Sequence, residues 1–306
     1  MTFPTTPEGW AIRLSQVVKI FHQTHELPRF PIKVASLAKE FSKQLFPNEP
    51  ITMISGDELT DGIEGMLFPK PDESGEWGII FNSSPTISKG RINFTLGHEL
   101  GHYLLHRKRS PEGFKCTMRN MMDWDSEVGR MEAEANKFAS YLLMPLDDFR
   151  EQIKGQKVSM ELMLFLAARY EVSVTAAILK WLEFTPKRAM LVFGKSGFID
   201  WAWSSTPLIK SGIFYRARQE TIQLPEKSLA AKGAAYSEFP EGIKHPGGVW
   251  AGNETVHETT IFSPQKEMSI SLLIYPDYSS HNLYKNSAEF KKRREFDTFD
   301  KFKTNS

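Results

Sequence analysis

The sequence predicts an α+β protein in which helices and a small three-stranded sheet are followed by a strand-rich C-terminal part. Apolar residues recur at spacings of three and four over much of the first 186 residues, which is typical of amphipathic helices. Three short apolar runs bounded by Asp, Gly, Pro and Ser interrupt this pattern. After Pro186, short apolar runs alternate with Gly- and Pro-rich loops. A length of 306 residues also favours about two domains rather than one.

The first predicted domain spans residues 1–150. Its helices are expected at 8–22, 32–45, 91–107 and 127–143. Its strands are expected at 51–55, 63–68 and 76–82. The polar stretch 69–76 is typical of a hairpin loop between the last two strands.

Three further segments complete the predicted organisation. Two short helices near 159–170 and 174–184 give residues 151–186 the pattern of a helix-turn-helix. Residues 187–280 are expected to form the strand-rich domain. Residues 281–306 are highly charged and predict a surface helix that frays into a tail.

Composition limits the classes of partner and compartment. The formal net charge is +1, so no global basic field favours wrapping nucleic acid. The segment 174–184 contains one lysine and one glutamate, so few of its side chains suit base edges or phosphates, and no direct nucleic-acid binding is expected. We find no secretory signal and no apolar run long enough to span a membrane. The single cysteine, Cys116, also fits a reducing setting, so a cytoplasmic protein is expected.

The stretch TLGHELGHYLLH at 95–106 carries the clearest chemical signal. His98 and His102 are four residues apart on a predicted helix, so their rings can converge on one metal ion. Glu99 lies about 100° round the axis, where it can act as a base on a metal-bound water. Gly101 is expected to leave room beside the metal. The residue types predict catalytic Zn²⁺ with an open position for water, although an H-E-x-x-H pattern also arises by chance in ordinary helices.

A third protein ligand must come from outside this motif. His106 lies about 12 Å along the helix axis from His98, too far to share the ion, so it is expected to support the ligands or to cap the helix. The helix at 127–143 is the best donor, because Ala135 and Ala139 permit close packing on the histidine helix. Its Glu132 and Glu134 lie about 200° apart round the axis, so only one of them can face the ion.

The motif FTLGHELGHYLLH, followed about thirty residues later by EAEANKFASYLLMP, resembles the ImmA/IrrE family of metallo-endopeptidases. The upstream runs GMLF and GIIFN are also similar to that family's catalytic domain, so the resemblance covers roughly residues 50–150. It implies a zincin-like N-terminal peptidase domain. It further implies that His98, His102 and Glu132 bind Zn²⁺ and that Glu99 is catalytic. Glu134 remains the reserve ligand, and Asn136 is placed to support the ligands.

The resemblance also implies a function: hydrolysis of a peptide bond through metal-activated water. The protein substrate would be a helix-turn-helix transcriptional repressor in a regulatory, stress or mobile-element response. An oxyanion-stabilising residue is also required, and Tyr103, Tyr141 and a loop side chain remain open for that role. The alternative function is a DNA-binding or protein-interaction regulator with a structural zinc site.

Overall fold

The computed structural model describes residues 3–60, 62–72, 74–117, 126–217 and 219–277, with the backbone alone at 115–117. The chain divides into two compact units. The first holds the residues up to Lys154 together with Leu166–Ser173, and the second holds Gly155–Phe165 and the residues from Val174 onwards. The predicted tail at 281–306 lies outside the described residues.

The first unit contains five helices and four strands among its described residues. The helices are α1 (Pro7–Thr24), α2 (Val34–Leu45), α3 (Lys89–Leu105), α4 (Glu127–Leu143) and α5 (Leu146–Ile153). The strands are β1 (Ile51–Asp57), β2 (Ile63–Pro69), β3 (Trp77–Asn82) and β4 (Phe114–Thr117). The four helices and three strands expected in this region are present, and α5 and β4 are additions.

The sheet of the first unit has the strand order β1-β3-β2-β4. Strands β2 and β3 pair antiparallel, as the predicted hairpin loop requires, whereas β1 pairs parallel to β3. The fourth strand, β4, pairs antiparallel with β2 and carries the chain back to the sheet after α3. The sheet is therefore one strand wider than the sequence pattern predicted.

Helices α3 and α4 pack closely because small residues face one another. A Cβ built on Gly97 would lie 3.3 Å from the Cβ of Ala139, and one on Gly101 would lie 3.1 Å from the Cα of Ala135. These pairs run in opposite directions along the two helices, so α3 and α4 are antiparallel. Ala135 and Ala139 thus bring the two helices together as expected. Each helix begins at a serine whose side chain accepts a backbone N–H, Ser88 for α3 and Ser126 for α4.

Two further helices follow the first unit's α5 along the chain: α6 (Met160–Tyr170) and α7 (Val174–Phe184). They match the predicted pair near 159–170 and 174–184. Residues of the segment 151–186 belong to both compact units. Among the described residues, no single helix is long and apolar enough to cross a membrane, and only the bent pair of α6 and α7 passes such a test on length and composition.

The second unit is rich in strands, as expected. A six-stranded antiparallel sheet has the order β7-β6-β5-β10-β9-β8. Its strands are β5 (Ala189–Lys195), β6 (Phe198–Ser204), β7 (Ile222–Gln223), β8 (Ile243–His245), β9 (Val256–Ser263) and β10 (Met268–Ile274). The short helices α8 (Thr206–Lys210) and α9 (Leu229–Lys232) accompany it. The side chains of Trp201, Trp203 and Trp250 are buried in this unit.

Glu258 of β9 is a fully buried acidic residue of the second unit. Its side chain is wholly buried, and its two carboxylate oxygens accept hydrogen bonds from four donors. The donors are the His245 ring, the Trp250 indole, the Thr260 hydroxyl and the backbone N–H of Ala230. A buried carboxylate is tolerated when its lone pairs are satisfied in this way.

Candidate metal centre

Helix α3 presents His98 and His102 side by side on one buried face. Because the two residues are one turn apart, their rings are neighbours and meet edge to face, with planes inclined by 72° and Nε2 atoms 2.9 Å apart. The exposed fractions are 4% for His98 and 0% for His102. Two ring nitrogens this close can carry at most one hydrogen between them, so at least one lone pair faces the other ring.

Glu132 of α4 completes the cluster. Its carboxylate lies 3.1 Å from Nε2 of His98 and 3.6 Å from Nε2 of His102. One ligand atom from each of the three residues lies within 4.8 Å of the others, and all three side chains are buried. Glu134 points elsewhere, with 46% of its side chain exposed. Of the two glutamates left open by the sequence, the structure places Glu132 beside the histidines, and this His-His-Glu group could hold a metal ion.

Asn136, one turn after Glu132, fixes the orientation of His98. The Asn136 Oδ1 atom lies 2.9 Å from Nδ1 of His98. An amide oxygen only accepts, so Nδ1 of His98 carries the hydrogen. In the neutral ring, Nε2 is then the nitrogen with the lone pair, and it is the atom that faces Glu132 and His102. Asn136, which was predicted to support the metal ligands, therefore contacts one of the two clustered histidines.

His106 ends α3 as its C-cap residue and contacts His102 from the far side. The two Nδ1 atoms are 3.1 Å apart, and Nε2 of His106 lies 2.9 Å from the Glu134 carboxylate. The ring of Phe114, in β4, stacks on His102 with centroids 4.4 Å apart and planes inclined by 20°. His106 is thus adjacent to the cluster and not part of it, as the helix geometry predicts.

The electrostatics of the cluster favour an ionised carboxylate beside a neutral ring. Burial lowers the pKa of His102 to about 4. Burial raises the pKa of Glu132, but its contacts with His102 and His98 outweigh this and leave that pKa below its usual range. For His98, burial lowers the pKa, while Glu132, Glu99 and Asn136 together raise it above the ordinary value. The Glu132 carboxylate is therefore ionised at neutral pH, which suits it to bind a cation.

Glu99 is fully buried beside the cluster, and strand β2 leaves the space that it occupies. A Cβ built on Gly65 would lie 2.7 Å from Oε1 of Glu99 and 2.7 Å from the Thr95 methyl group. Any larger residue at position 65 would displace the carboxylate. Sequence reasoning missed Gly65, and its only local signal is a glycine within a strand pattern, which indicates a close approach by another group.

Two expectations about neighbouring residues need revision. The prediction that Gly101 leaves room beside the metal was wrong: the space is filled by α4, since an added Cβ would meet Phe138 and Ala135.

Tyr103 is buried, and its hydroxyl donates to the main-chain oxygen of Glu49. Tyr141 lies nine residues after Glu132, about 180° round the helix axis, so α4 directs it away from the cluster. Neither tyrosine is placed to stabilise an oxyanion there.

Comparison with known proteins gives one family match. Residues 73–182 match the model of the IrrE N-terminal-like domain, the Peptidase_M78 family. No curated protein sequence matches the chain. A solved structure titled "Mycobacterium tuberculosis transcriptional regulator" shares 13% sequence identity with the chain, at a TM-score of 0.47. That comparison covers 86% of this chain and 76% of the other, and similarity at this level does not assign a function.

Proposed function

The chain carries an ImmA/IrrE-family metallopeptidase domain, and on that premise we propose that it is a zinc-dependent endopeptidase. The observation that carries this proposal is the convergence of His98, His102 and Glu132 in one buried cluster. A tetrahedral zinc ion with bonds of about 2.0–2.1 Å separates its ligand atoms by about 3.3 Å. The separations of 2.9, 3.1 and 3.6 Å in the cluster lie around that value.

The donor set favours zinc in a catalytic site. Two imidazoles and one carboxylate form a zinc set that leaves a fourth position for water or substrate, whereas structural sites use four protein ligands. Glu99 adds a buried carboxylate next to the cluster, and a structural site has no use for such a group. This combination argues against the alternative of a DNA-binding or interaction module with a structural zinc.

The proposed reaction is the hydrolysis of a peptide bond. When bound, zinc would lower the pKa of a water molecule to around 7 and polarise the scissile carbonyl. Glu99 accepts a proton as the water oxygen bonds to the carbonyl carbon, and it returns that proton to the leaving amine as the C–N bond breaks. Asn136 orients His98, and Gly65 leaves the space for Glu99.

We propose a protein substrate, namely a helix-turn-helix transcriptional repressor. This follows from the resemblance of the motifs to the ImmA/IrrE family, whose peptidases commonly act on such repressors. Residues 187–280 would then report a signal to the peptidase. A cytoplasmic location fits a substrate of that kind and a chain with a single cysteine.

The proposal is tested with the wild type and Glu99→Gln, each loaded with zinc. Both are incubated with a proteome-derived peptide library and with any helix-turn-helix protein found to be encoded beside the gene, and new N-termini are identified by mass spectrometry. We expect cleavage by the wild type alone, with equal zinc content in both proteins. Cleavage retained by Glu99→Gln would overturn the role of Glu99, and a wild type that takes up no zinc would overturn the proposed function.

A further inference from the structure

We infer that Glu134 and His106 form a hydrogen-bond relay that fixes the tautomer of His102 and so strengthens metal binding. This inference rests on the proposed function, since His102 is a zinc ligand there. It assigns a role to two residues that the proposed reaction does not use. The relevant contacts are Glu134 to His106 at 2.9 Å and His106 to His102 at 3.1 Å.

The direction of each hydrogen bond follows from the outermost group. An ionised carboxylate only accepts, so Nε2 of His106 must donate to Glu134. A neutral imidazole has a single N–H, so Nδ1 of His106 is then an acceptor. The only hydrogen available for the contact between the two Nδ1 atoms belongs to His102. His102 therefore keeps its hydrogen on Nδ1 and presents the lone pair of Nε2 to His98 and Glu132.

The position of Glu134 explains why the chain has glutamates at both 132 and 134. About 200° separates them round the α4 axis, so Glu132 faces the cluster while Glu134 remains 46% exposed. From that position Glu134 reaches the end of α3, where His106 is fully buried. A carboxylate that orients a metal-binding histidine is a recurring arrangement, and here a second histidine is inserted between the two.

Packing alone does not fix the tautomer of His102. The Phe114 ring stacks on His102 and restricts the ring plane. Stacking does not distinguish the two nitrogens, however, and a ring with its hydrogen on Nε2 would turn an N–H towards the site. His106 and Glu134 are therefore positioning residues, and their loss should weaken metal binding without removing a ligand.

The test measures the zinc dissociation constant by chelator competition, together with the absorption spectrum of the cobalt-substituted protein. His106→Phe keeps a ring in the same place and removes the acceptor, and we expect zinc to bind about 10–100-fold more weakly. His106→Asn restores an acceptor near the Nδ1 position and should recover much of that loss. Glu134→Ala should weaken binding in the same direction. Glu127→Ala, the same change at an exposed site on the same helix, should leave it unaltered.

The outcomes separate the relay from the proposed function. Tight zinc binding by the wild type with unchanged constants in His106→Phe and Glu134→Ala would overturn the relay alone. Equal losses in His106→Phe and His106→Asn would assign His106 a packing role and also overturn it. If His106→Phe does not fold, Glu134→Ala decides the matter, because its side chain is half exposed and tolerates truncation. A wild type that binds no zinc would overturn the proposed function.

Discussion

Replacing Gly101 by alanine should show that close helix packing at the candidate metal centre outweighs the higher helix propensity of alanine. Gly101 lies inside α3, where alanine would stabilise an isolated helix by about 0.5–1 kcal/mol. The new Cβ would lie 3.0 Å from Cδ1 of Phe138, 3.1 Å from the Cα of Ala135 and 3.3 Å from its oxygen. Two of these three contacts are with backbone, which cannot turn aside as a side chain can. Helix α4, and Glu132 with it, must therefore move.

The expected loss of stability in Gly101→Ala is the difference between two opposing effects, overpacking and helix propensity. Overpacking of a well-packed interior costs about 1–3 kcal/mol. Subtracting the gain in helix propensity leaves a net loss of about 1 kcal/mol, or a fall of about 3 °C in Tm. Zinc affinity should also fall, because Glu132 is carried by the displaced helix. The assay is thermal unfolding without metal, followed by chelator competition with zinc.

Gly97 offers a matched control one turn earlier on the same helix. Its added Cβ would meet the Ala139 methyl group at 3.3 Å and backbone only at 3.5 Å. Gly97→Ala should therefore lie within about 0.5 kcal/mol of the wild type, as the two effects nearly cancel. If Gly101→Ala is as stable as Gly97→Ala and binds zinc as tightly as the wild type, then close packing of α4 on Gly101 does not position Glu132.

Two further substitutions lie away from the candidate metal centre and test the stability of each compact unit. Hydrogen bonds from Arg29 and Lys19 lower the pKa of Asp147 from 3.8 to about 2. Asp147→Asn should therefore cost about 0.5–1 kcal/mol at pH 7, discounted for solvent exposure, and the Tm curves of variant and wild type should converge as pH falls from about 4 to 2. Glu258→Gln leaves buried donors of His245 and Trp250 poorly paired, so it should cost about 3 kcal/mol, seen as a lower Tm by tryptophan fluorescence. An unchanged Tm for Glu258→Gln would show that this network contributes little.

Local periodicity accounts for the parts of the fold that the sequence predicted well. Helix α4 begins and ends at the predicted residues, 127 and 143, because its apolar spacing is strong and a proline follows. Strand β4 was not predicted from the sequence. Its four residues form a strand only because they pair with β2, which is distant in the sequence. Helix α5 was not predicted, because a proline shortly after a helix is typical of a helix end, whereas Pro145 is here also the N-cap of the next helix.

In the candidate site, too, some features could be predicted from the sequence and others depend on how distant elements pack. The juxtaposition of His98 and His102 could be read from the sequence, since residues four apart share a helix face. The choice of Glu132 over Glu134 depends on how α4 is rotated against α3, which the facing glycines and alanines determine. The space that Gly65 leaves for Glu99 arises between a strand and a helix about thirty residues apart, so no local pattern reveals it.

The most direct test of the central claim is the zinc content of three purified proteins at saturating metal: the wild type, Glu132→Ala and Glu134→Ala. At saturating metal we expect about one bound zinc per chain in the wild type and in Glu134→Ala, and loss of that zinc in Glu132→Ala. Full zinc in Glu132→Ala, or loss of it only in Glu134→Ala, would contradict the assignment of His98, His102 and Glu132 as the ligands.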